Sequence, residues 1–151
     1  MLKDTLISKF TQFKLLGHTE EKLRVLVADD NQDILALFSE LLRLKNFDVV
    51  GTATSGKEAV KVYNFTKPHI SFLDVAMPDG DGIYALEKIR ETDPKAIVIM
   101  VTSDISPITA TRLEQLHASA IVYKPFDIED IIKIVKGLVP DTNNGRLKFF
   151  N

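Results

Sequence analysis

Five side chains that could carry out chemistry each follow a short apolar run: Asp29, Asp30, Asp74, Thr102 and Lys124. Three carboxylates that meet at one point repel one another, and one of them is driven to keep its proton unless a cation intervenes. Mg²⁺ suits such a cluster, because it is usually held by one or two carboxylates together with waters and a phosphate. If the fold brings these residues together, they predict magnesium-assisted phosphoryl transfer.

The remaining groups complete that chemistry. The Lys124 ammonium offers a positive charge for one phosphoryl oxygen, and the Thr102 hydroxyl can donate a hydrogen bond to another. One carboxylate is left as a nucleophile, which would form an aspartyl phosphate. Taken singly, Asp29 and Asp30 could merely cap a helix, and Lys124 could be a solvated surface residue. The joint occurrence of all five side chains favours the phosphoryl-transfer interpretation.

The elements that must position these residues follow from the alternation of apolar runs with helical spacing. Short runs typical of strands buried on both faces occupy residues 24–28, 49–53, 69–73, 96–101 and 120–123. Five strand–helix units joined by short connections imply an α/β fold with a parallel sheet and helices on both faces. With the strand order 2-1-3-4-5, the first and third strands are neighbours, and the carboxylates converge at the sheet edge where such folds place their sites.

Local signals mark the beginnings of three helices. Ser55 and Glu58 form the pattern of a capping box, in which both side chains satisfy free amides of the first turn. Pro107 after Ser106 indicates another start, because proline is tolerated in the first turn of a helix. Asp127 is the expected cap of the last helix.

The length and composition limit the classes of protein. The 151 residues, 45% of them hydrophobic, suit one domain of roughly 100–150 residues, predicted over 23–139 between an extension (1–22) and a tail (140–151). The balance of 19 basic and 21 acidic residues argues against a nucleic-acid binder. The absence of cysteine excludes disulfides and thiolate chemistry. The polar start and the lack of a long apolar run predict a cytoplasmic protein without a membrane span.

Four motifs resemble those of the receiver domain of two-component response regulators, the CheY-like family. They are VADD (27–30), LDVAMPDGDG (73–82), VTS (101–103) and YKPF (123–126). Each is weak alone, but the set is specific, and the match covers about residues 23–138. The resemblance implies a flavodoxin-like, doubly wound (βα)5 three-layer sandwich. It also implies a single-domain response regulator that is not an enzyme beyond slow self-phosphorylation and autodephosphorylation.

The same resemblance implies the metal site and the acceptor. Asp74 would take a phosphoryl group from a sensor histidine kinase or a phosphotransfer protein. Mg²⁺, with Mn²⁺ as a second candidate, would be bound by Asp30 directly, by Asp29 through water, by Asp74, and by the backbone carbonyl of Ala76. Ala76 is also expected to set the lifetime of the phosphoryl group, because its small side chain leaves room for water.

Other positions would bind the phosphoryl group and report its presence. Thr102 and Lys124 would contact its oxygens, and the bond between Lys124 and Pro125 would be cis. Most receivers carry an aromatic switch residue three positions before the lysine, but here that position is Ile121, and the aromatic residue is Tyr123. The usual coupling of Thr102 to an aromatic side chain is therefore not expected in this switch region.

Two further expectations concern lifetime and output. Asp104, two residues past Thr102, is expected to orient or repel the water that would hydrolyse the phosphoryl group. The signal is expected to leave through the face of the fourth helix, fifth strand and fifth helix, toward an unidentified downstream protein.

The N-terminal extension has the pattern of an amphipathic helix. At helical spacing its apolar stripe is Leu2, Leu6, Phe10, Phe13 and Leu16, flanked by Lys3 and Lys14 and interrupted by Lys9. Such a helix would pack on its own domain or on a second copy, forming a homodimer through residues 1–17. Binding of a partner protein or of a membrane surface are the less favoured interpretations.

Three competing classes differ in their requirements. A haloacid-dehalogenase-type enzyme needs an aspartate two residues after the nucleophile, where this chain has Ala76. A flavodoxin-type flavin binder needs a glycine- and hydroxyl-rich loop after the first strand, where this chain has Asp29, Asp30 and Asn31. A receiver fold that is never phosphorylated and acts as an adaptor remains open, as does a relay or phosphate-sink role.

Overall fold

The computed structural model describes residues 22–139, which form five strand–helix units. The strands are β1 (Arg24–Ala28), β2 (Asp48–Ala53), β3 (Ile70–Asp74), β4 (Ile97–Thr102) and β5 (Ala120–Tyr123). The helices are α1 (Gln32–Leu44), α2 (Gly56–Thr66), α3 (Gly82–Thr92), α4 (Pro107–Gln115) and α5 (Ile128–Leu138). Asp74 and Thr102 are the last residues of β3 and β4, so these two strands end one residue later than the apolar runs 69–73 and 96–101 predicted.

All five strands are parallel, in the order β2-β1-β3-β4-β5, which confirms the predicted flavodoxin-like topology. Ala28 at the end of β1 is in register with Leu73 of β3. Asp74 at the end of β3 is in register with Val101 of β4. The residues that follow β1, β3 and β4 consequently meet at one edge of the sheet.

Two apolar cores lie on opposite faces of the sheet, and strand alternation assigns residues to them. Phe72 of β3 packs on one face with Phe38 of α1 and Ile131 of α5. Its neighbour Leu73 packs on the other face with side chains of α2, α3 and α4. Every residue of β3 is buried, as expected for the central strand of a three-layer α/β sandwich.

The helices begin where polar side chains satisfy free amides. Ser106 and Asp127 cap α4 and α5, and Pro107 occupies the first turn of α4. Ser55 Oγ accepts a hydrogen bond from the Glu58 amide at 3.1 Å. The Glu58 carboxylate accepts from the Thr54 amide at 3.0 Å, one residue before the cap, so it secures the chain that enters α2.

The predictions for the extension (1–22) and the tail (140–151), including the amphipathic stripe, fall almost entirely outside the described residues. Across residues 22–139, none of the helices combines the length and apolar character needed to cross a bilayer.

Candidate functional site

Three carboxylates converge at the carboxyl edge of β1 and β3. One oxygen from each of Asp29, Asp30 and Asp74 lies within 4.8 Å of the other two. Asp29 and Asp74 are buried, with 5% and 7% of their surface exposed, whereas Asp30 is exposed. The cluster thus has a buried floor and an open side, and its hard oxygen donors fit a divalent cation such as Mg²⁺.

Helix capping does not consume these carboxylates. The N-cap of α1 is Asn31, whose side chain accepts hydrogen bonds from the amides of Asp33 and Ile34. Asp29 Oδ1 accepts from the Asn31 amide at 2.9 Å, which fixes the orientation of the Asp29 carboxylate. The alternative that the acidic pair merely caps the first helix is therefore wrong.

Lys124 bridges two of the carboxylates. Its Nζ lies 2.7 Å from Asp29 Oδ2 and 3.2 Å from Asp74 Oδ2, in a half-buried position. Burial alone would lower the pKa of Lys124, but its hydrogen bonds and ion pairs with Asp29 and Asp74 raise the pKa overall. The bond between Lys124 and Pro125 is cis. The charged ammonium is thus held directly beside the acceptor candidate.

Asp74 sits in an environment that disfavours its charge. Burial raises the pKa of Asp74 above its ordinary value, and the charge of Asp29 raises it further, while Lys124 offsets only part of the effect. The Ala76 amide donates a long hydrogen bond of 3.4 Å to Asp74 Oδ1. A bound dication would favour the charged form of Asp74. Both the electrostatics of the pocket and its oxygen donors therefore favour a metal ion.

Thr102 closes the site from β4. Its side chain is buried, and its Oγ1 accepts a hydrogen bond from the Asp104 amide at 3.0 Å. The hydroxyl hydrogen is consequently left to donate to a ligand. Asp104 itself points into the turn before α4, where its carboxylate accepts from the Ser106 amide at 2.8 Å and from the Thr109 hydroxyl at 2.5 Å. These hydrogen bonds lower the pKa of Asp104, and the hydrogen bond from the Thr109 hydroxyl contributes most.

The other predicted positions surround the cluster. Tyr123 of β5 is in register with Thr102, and 43% of its surface is exposed. Ile121 is partly buried against the core beneath α4. Ala76 is exposed next to the carboxylates. An isoleucine thus occupies the half-buried position, and the aromatic ring stands at the surface beside the site.

The loop after Asp74 is held by a contact that the sequence did not reveal. The first amides of α2 donate to this loop: Gly56 N–H to the Gly80 carbonyl at 2.6 Å and Lys57 N–H to the Asp79 carbonyl at 3.1 Å. The Lys57 ammonium also pairs with the Asp79 carboxylate at 3.1 Å. No local pattern could have predicted this clamp, because it joins segments that follow different strands.

Gly82 is required by a close approach of two backbone segments. Its amide donates to the Val75 carbonyl at 2.9 Å, and a Cβ at this position would lie 2.0 Å from the Asp74 carbonyl oxygen. A side chain here would push the acceptor strand away from α3.

We predict that Gly82→Ala lowers the free energy of unfolding by about 1–3 kcal/mol, the cost of forcing an extra methyl into a packed site. The matched control is Gly137→Ala in α5, where nothing lies within 4 Å of the added Cβ. That variant should be more stable by about 0.5–1 kcal/mol, since alanine favours helix. Urea titration of both variants measures the two effects. Changes in the free energy of unfolding with the same sign in both variants would contradict the geometry.

Comparison with known proteins agrees with this arrangement. Residues 25–136 match the family described as the response regulator receiver domain. The protein CcdB of Bacillus subtilis is 34% identical over 112 residues, which is 74% of this chain and 93% of that relative. The chemotaxis protein CheY of Listeria monocytogenes is 32% identical over 114 residues, 76% of this chain and 96% of that protein.

Solved structures share the fold over the same part of the chain. A chain of the CheX–CheY–BeF3–Mg²⁺ complex of Borrelia burgdorferi superposes with a TM-score of 0.73 at 28% identity, covering 78% of this chain and 90% of that one. The response regulator domain of Thermotoga maritima CheB superposes with a TM-score of 0.68 at 30% identity, covering 78% and 97%. The converging carboxylates, the sheet order and these matches show that the chain belongs to the family of response regulator receiver domains.

Proposed function

We propose that this protein accepts a phosphoryl group on Asp74 from a phosphohistidine of a sensor kinase or phosphotransfer protein, in a Mg²⁺-dependent reaction. A bond forms between an Asp74 carboxylate oxygen and phosphorus, and the bond between the donor nitrogen and phosphorus breaks. The observation that carries the proposal is the convergence of three carboxylates within 4.8 Å beside the Lys124 ammonium.

Receiver domains bind Mg²⁺ at an acidic pocket, and this chain has the acidic cluster for it. We assign the ligands to Asp29, Asp30, Asp74 and the Ala76 carbonyl, with Mn²⁺ as a substitute ion. When bound, the ion would supply positive charge at the reacting oxygens. Lys124 and Thr102 bind phosphoryl oxygens from two further strands, and Asn31 keeps the Asp29 carboxylate oriented.

For the output we propose the face formed by α4, β5 and α5. Ile105 and Ile108 are exposed at the start of α4, and Tyr123 is exposed on β5 beside Thr102. Phosphorylation adds a charge of about −1.5 to −2 next to this face. That charge can shift the turn between Thr102 and α4, which a few hydrogen bonds hold. The role is that of a single-domain, non-enzymatic, cytoplasmic regulator, with a relay, a phosphate sink or an unphosphorylated adaptor as its alternatives.

The test of this function uses the purified full chain with acetyl phosphate as a small phosphodonor. With Mg²⁺ present, intact mass measurement should show the gain of one phosphoryl group, and chelation of the metal should prevent it. A protein that gains no phosphoryl group with Mg²⁺, or that gains it equally after chelation, would contradict the proposal.

We further predict that Asp104→Ala shortens the lifetime of the phosphorylated protein by about 2- to 10-fold, because the hydrogen bonds that fix the turn beside Thr102 are lost. The carboxylate pins the turn whose amide binds Thr102 Oγ1, so its loss loosens the hydroxyl that holds the phosphoryl group. The control Thr109→Val removes one hydrogen bond to the Asp104 carboxylate and keeps the charge of that carboxylate. Mass measurement of phosphoryl loss over time gives the lifetime of each variant. An unchanged lifetime in Asp104→Ala would remove this residue from the mechanism.

A further inference from the structure

The loop after β3 (residues 75–81) is held tightly where it joins α3. The Gly82 amide donates to the Val75 carbonyl at 2.9 Å, which ties the end of the loop to its beginning. Between these points the side chain of Met77 is buried in the core that α3 covers. Ala76, whose carbonyl we assign to the metal, therefore lies on a short loop with little freedom on its α3 side.

The other side of this loop rests on the start of α2. The first amides of an α-helix have no partner within the helix. In α2, the Gly56 amide donates to the Gly80 carbonyl at 2.6 Å. The Lys57 amide donates to the Asp79 carbonyl at 3.1 Å, and the Lys57 ammonium lies 3.1 Å from the Asp79 carboxylate. The loop thus satisfies the free amides of α2, and the start of α2 holds the loop.

The two backbone segments approach so closely that Gly56 leaves no room for a side chain. A Cβ at Gly56 would lie 2.2 Å from the Gly80 carbonyl oxygen and 2.5 Å from the Asp81 carbonyl oxygen. Because no flexible side chain lies between the segments at this point, a shift of α2 is passed directly to the loop.

The loop also has a backbone conformation that external contacts must support. Asp79 has a φ of 48° and Gly80 a φ of 81°, both in the left-handed region. Glycine adopts this region readily, whereas for aspartate it is disfavoured, although less than for most residues. Both contacts of Lys57 are made with Asp79, three positions after Ala76. The start of α2 therefore acts on the strained residue of the loop.

We propose that Gly56 and Lys57 are positioning residues for the metal site, because they fix the loop that carries the Ala76 carbonyl. This inference rests on the proposed function, in which that carbonyl is a ligand of the divalent cation. A loop held by α2 binds the cation better than a released loop. Since coupling between two sites is reciprocal, the cation in turn stabilises the contact between the loop and α2. The start of α2 thus responds to a site to which it contributes no ligand.

The ion pair allows positioning to be separated from folding. The side chains of Lys57 and Asp79 are 58% and 66% exposed, and exposed ion pairs add little to global stability. Loss of the pair should therefore leave the melting temperature of the metal-free protein almost unchanged. Its effect on the loop is local and should appear in the affinity for the metal.

Calorimetric titration of the full chain with Mg²⁺ alone tests the positioning role. We expect Lys57→Met to bind Mg²⁺ about 2- to 5-fold more weakly than the wild type, the size of effect that an exposed ion pair can transmit. Lys57→Arg keeps the charge and should bind as the wild type does. The matched control is Lys61→Met, which removes an exposed lysine one turn further along α2 and should leave the affinity unchanged.

The sign of the change distinguishes positioning from simple electrostatics. Loss of a positive charge near the carboxylates would by itself strengthen the binding of a dication. Unchanged or tighter binding by Lys57→Met, or equal weakening in Lys61→Met, would therefore overturn this inference while the proposed function stands. A wild type that binds no Mg²⁺ would contradict the proposed function and this inference with it.

Amide hydrogen exchange tests the reciprocal effect. In the wild type, saturating Mg²⁺ should slow exchange of the Gly56 and Lys57 amides more than exchange of the Lys67 amide. The Lys67 amide is the matched control, because it donates to the Tyr63 carbonyl at the other end of α2. The excess slowing should be smaller in Lys57→Met. Equal slowing at both ends of α2 would indicate general stabilisation and would overturn the coupling between the metal site and the start of α2.

Discussion

Replacement of Asp74 by asparagine is expected to abolish phosphoryl uptake from acetyl phosphate, because the amide is not a nucleophile that can form an aspartyl phosphate. The substitution keeps the size and most of the shape of the side chain, so the site should remain folded. Intact mass after incubation with Mg²⁺ is the measurement. Asp48→Asn, an exposed carboxylate at the start of β2, is the matched control and should take up phosphoryl as the wild type does. Uptake by Asp74→Asn would show that another residue is the acceptor.

The same variant should have a characteristic pH dependence of stability. Burial raises the pKa of Asp74 in the folded state. A raised folded-state pKa means that the wild type loses stability as the pH rises from the unfolded value of about 3.9 through the folded value. Without metal, Asp74→Asn should therefore melt at a higher temperature than the wild type near neutral pH. The two melting temperatures should converge as the pH falls below the unfolded value. A gap that widens toward low pH would contradict the sign of the shift.

Lys124→Met is expected to slow phosphoryl uptake by about 100-fold, the usual cost of losing one charged group that stabilises a transition state in a shielded site. Methionine keeps the length of the chain and removes the charge. The side chain contacts both Asp29 and Asp74, so its loss also leaves two buried carboxylates without their cation. Uptake rates from acetyl phosphate at saturating Mg²⁺ measure the effect.

Lys133→Met provides the control for that experiment, because Lys133 is exposed on α5, away from the carboxylates. It should phosphorylate at the wild-type rate. We also expect Lys124→Met to melt at a lower temperature without metal and to regain part of the difference with Mg²⁺, since the dication replaces the missing charge. An unchanged uptake rate would show that the ammonium does not contact the phosphoryl group.

The strands and their order were predictable because buried parallel strands are short, nearly continuous apolar runs separated by helical patterns. The position of Asp74 at the end of β3 followed from that pattern, and so did its approach to Asp29. What the strand ends could not reveal is which polar side chain caps α1. Asn31 does so, and the difference between a capping carboxylate and a free one is set by backbone angles at that single turn.

The surroundings of the site were less predictable than the site itself. The carboxylate of Asp104 is committed to Ser106 and Thr109, a local turn whose geometry depends on how α4 starts. The clamp of Gly56 and Lys57 on the loop after β3 joins residues separated by more than twenty positions. Such contacts depend on how α2 and α3 pack together, which residue spacing alone does not determine.

A calorimetric titration of the full chain with Mg²⁺ measures whether the three carboxylates form a metal site. We expect one ion to bind per chain, with binding strongly weakened in Asp30→Asn. Asp30 is exposed and does not cap α1, so this variant removes a ligand without removing a structural contact. The exposed Asp33→Asn in the first turn of α1 should bind as the wild type does. Binding of Mg²⁺ by Asp30→Asn with unchanged affinity, or no binding by the wild type, would contradict the converging carboxylates as a metal site.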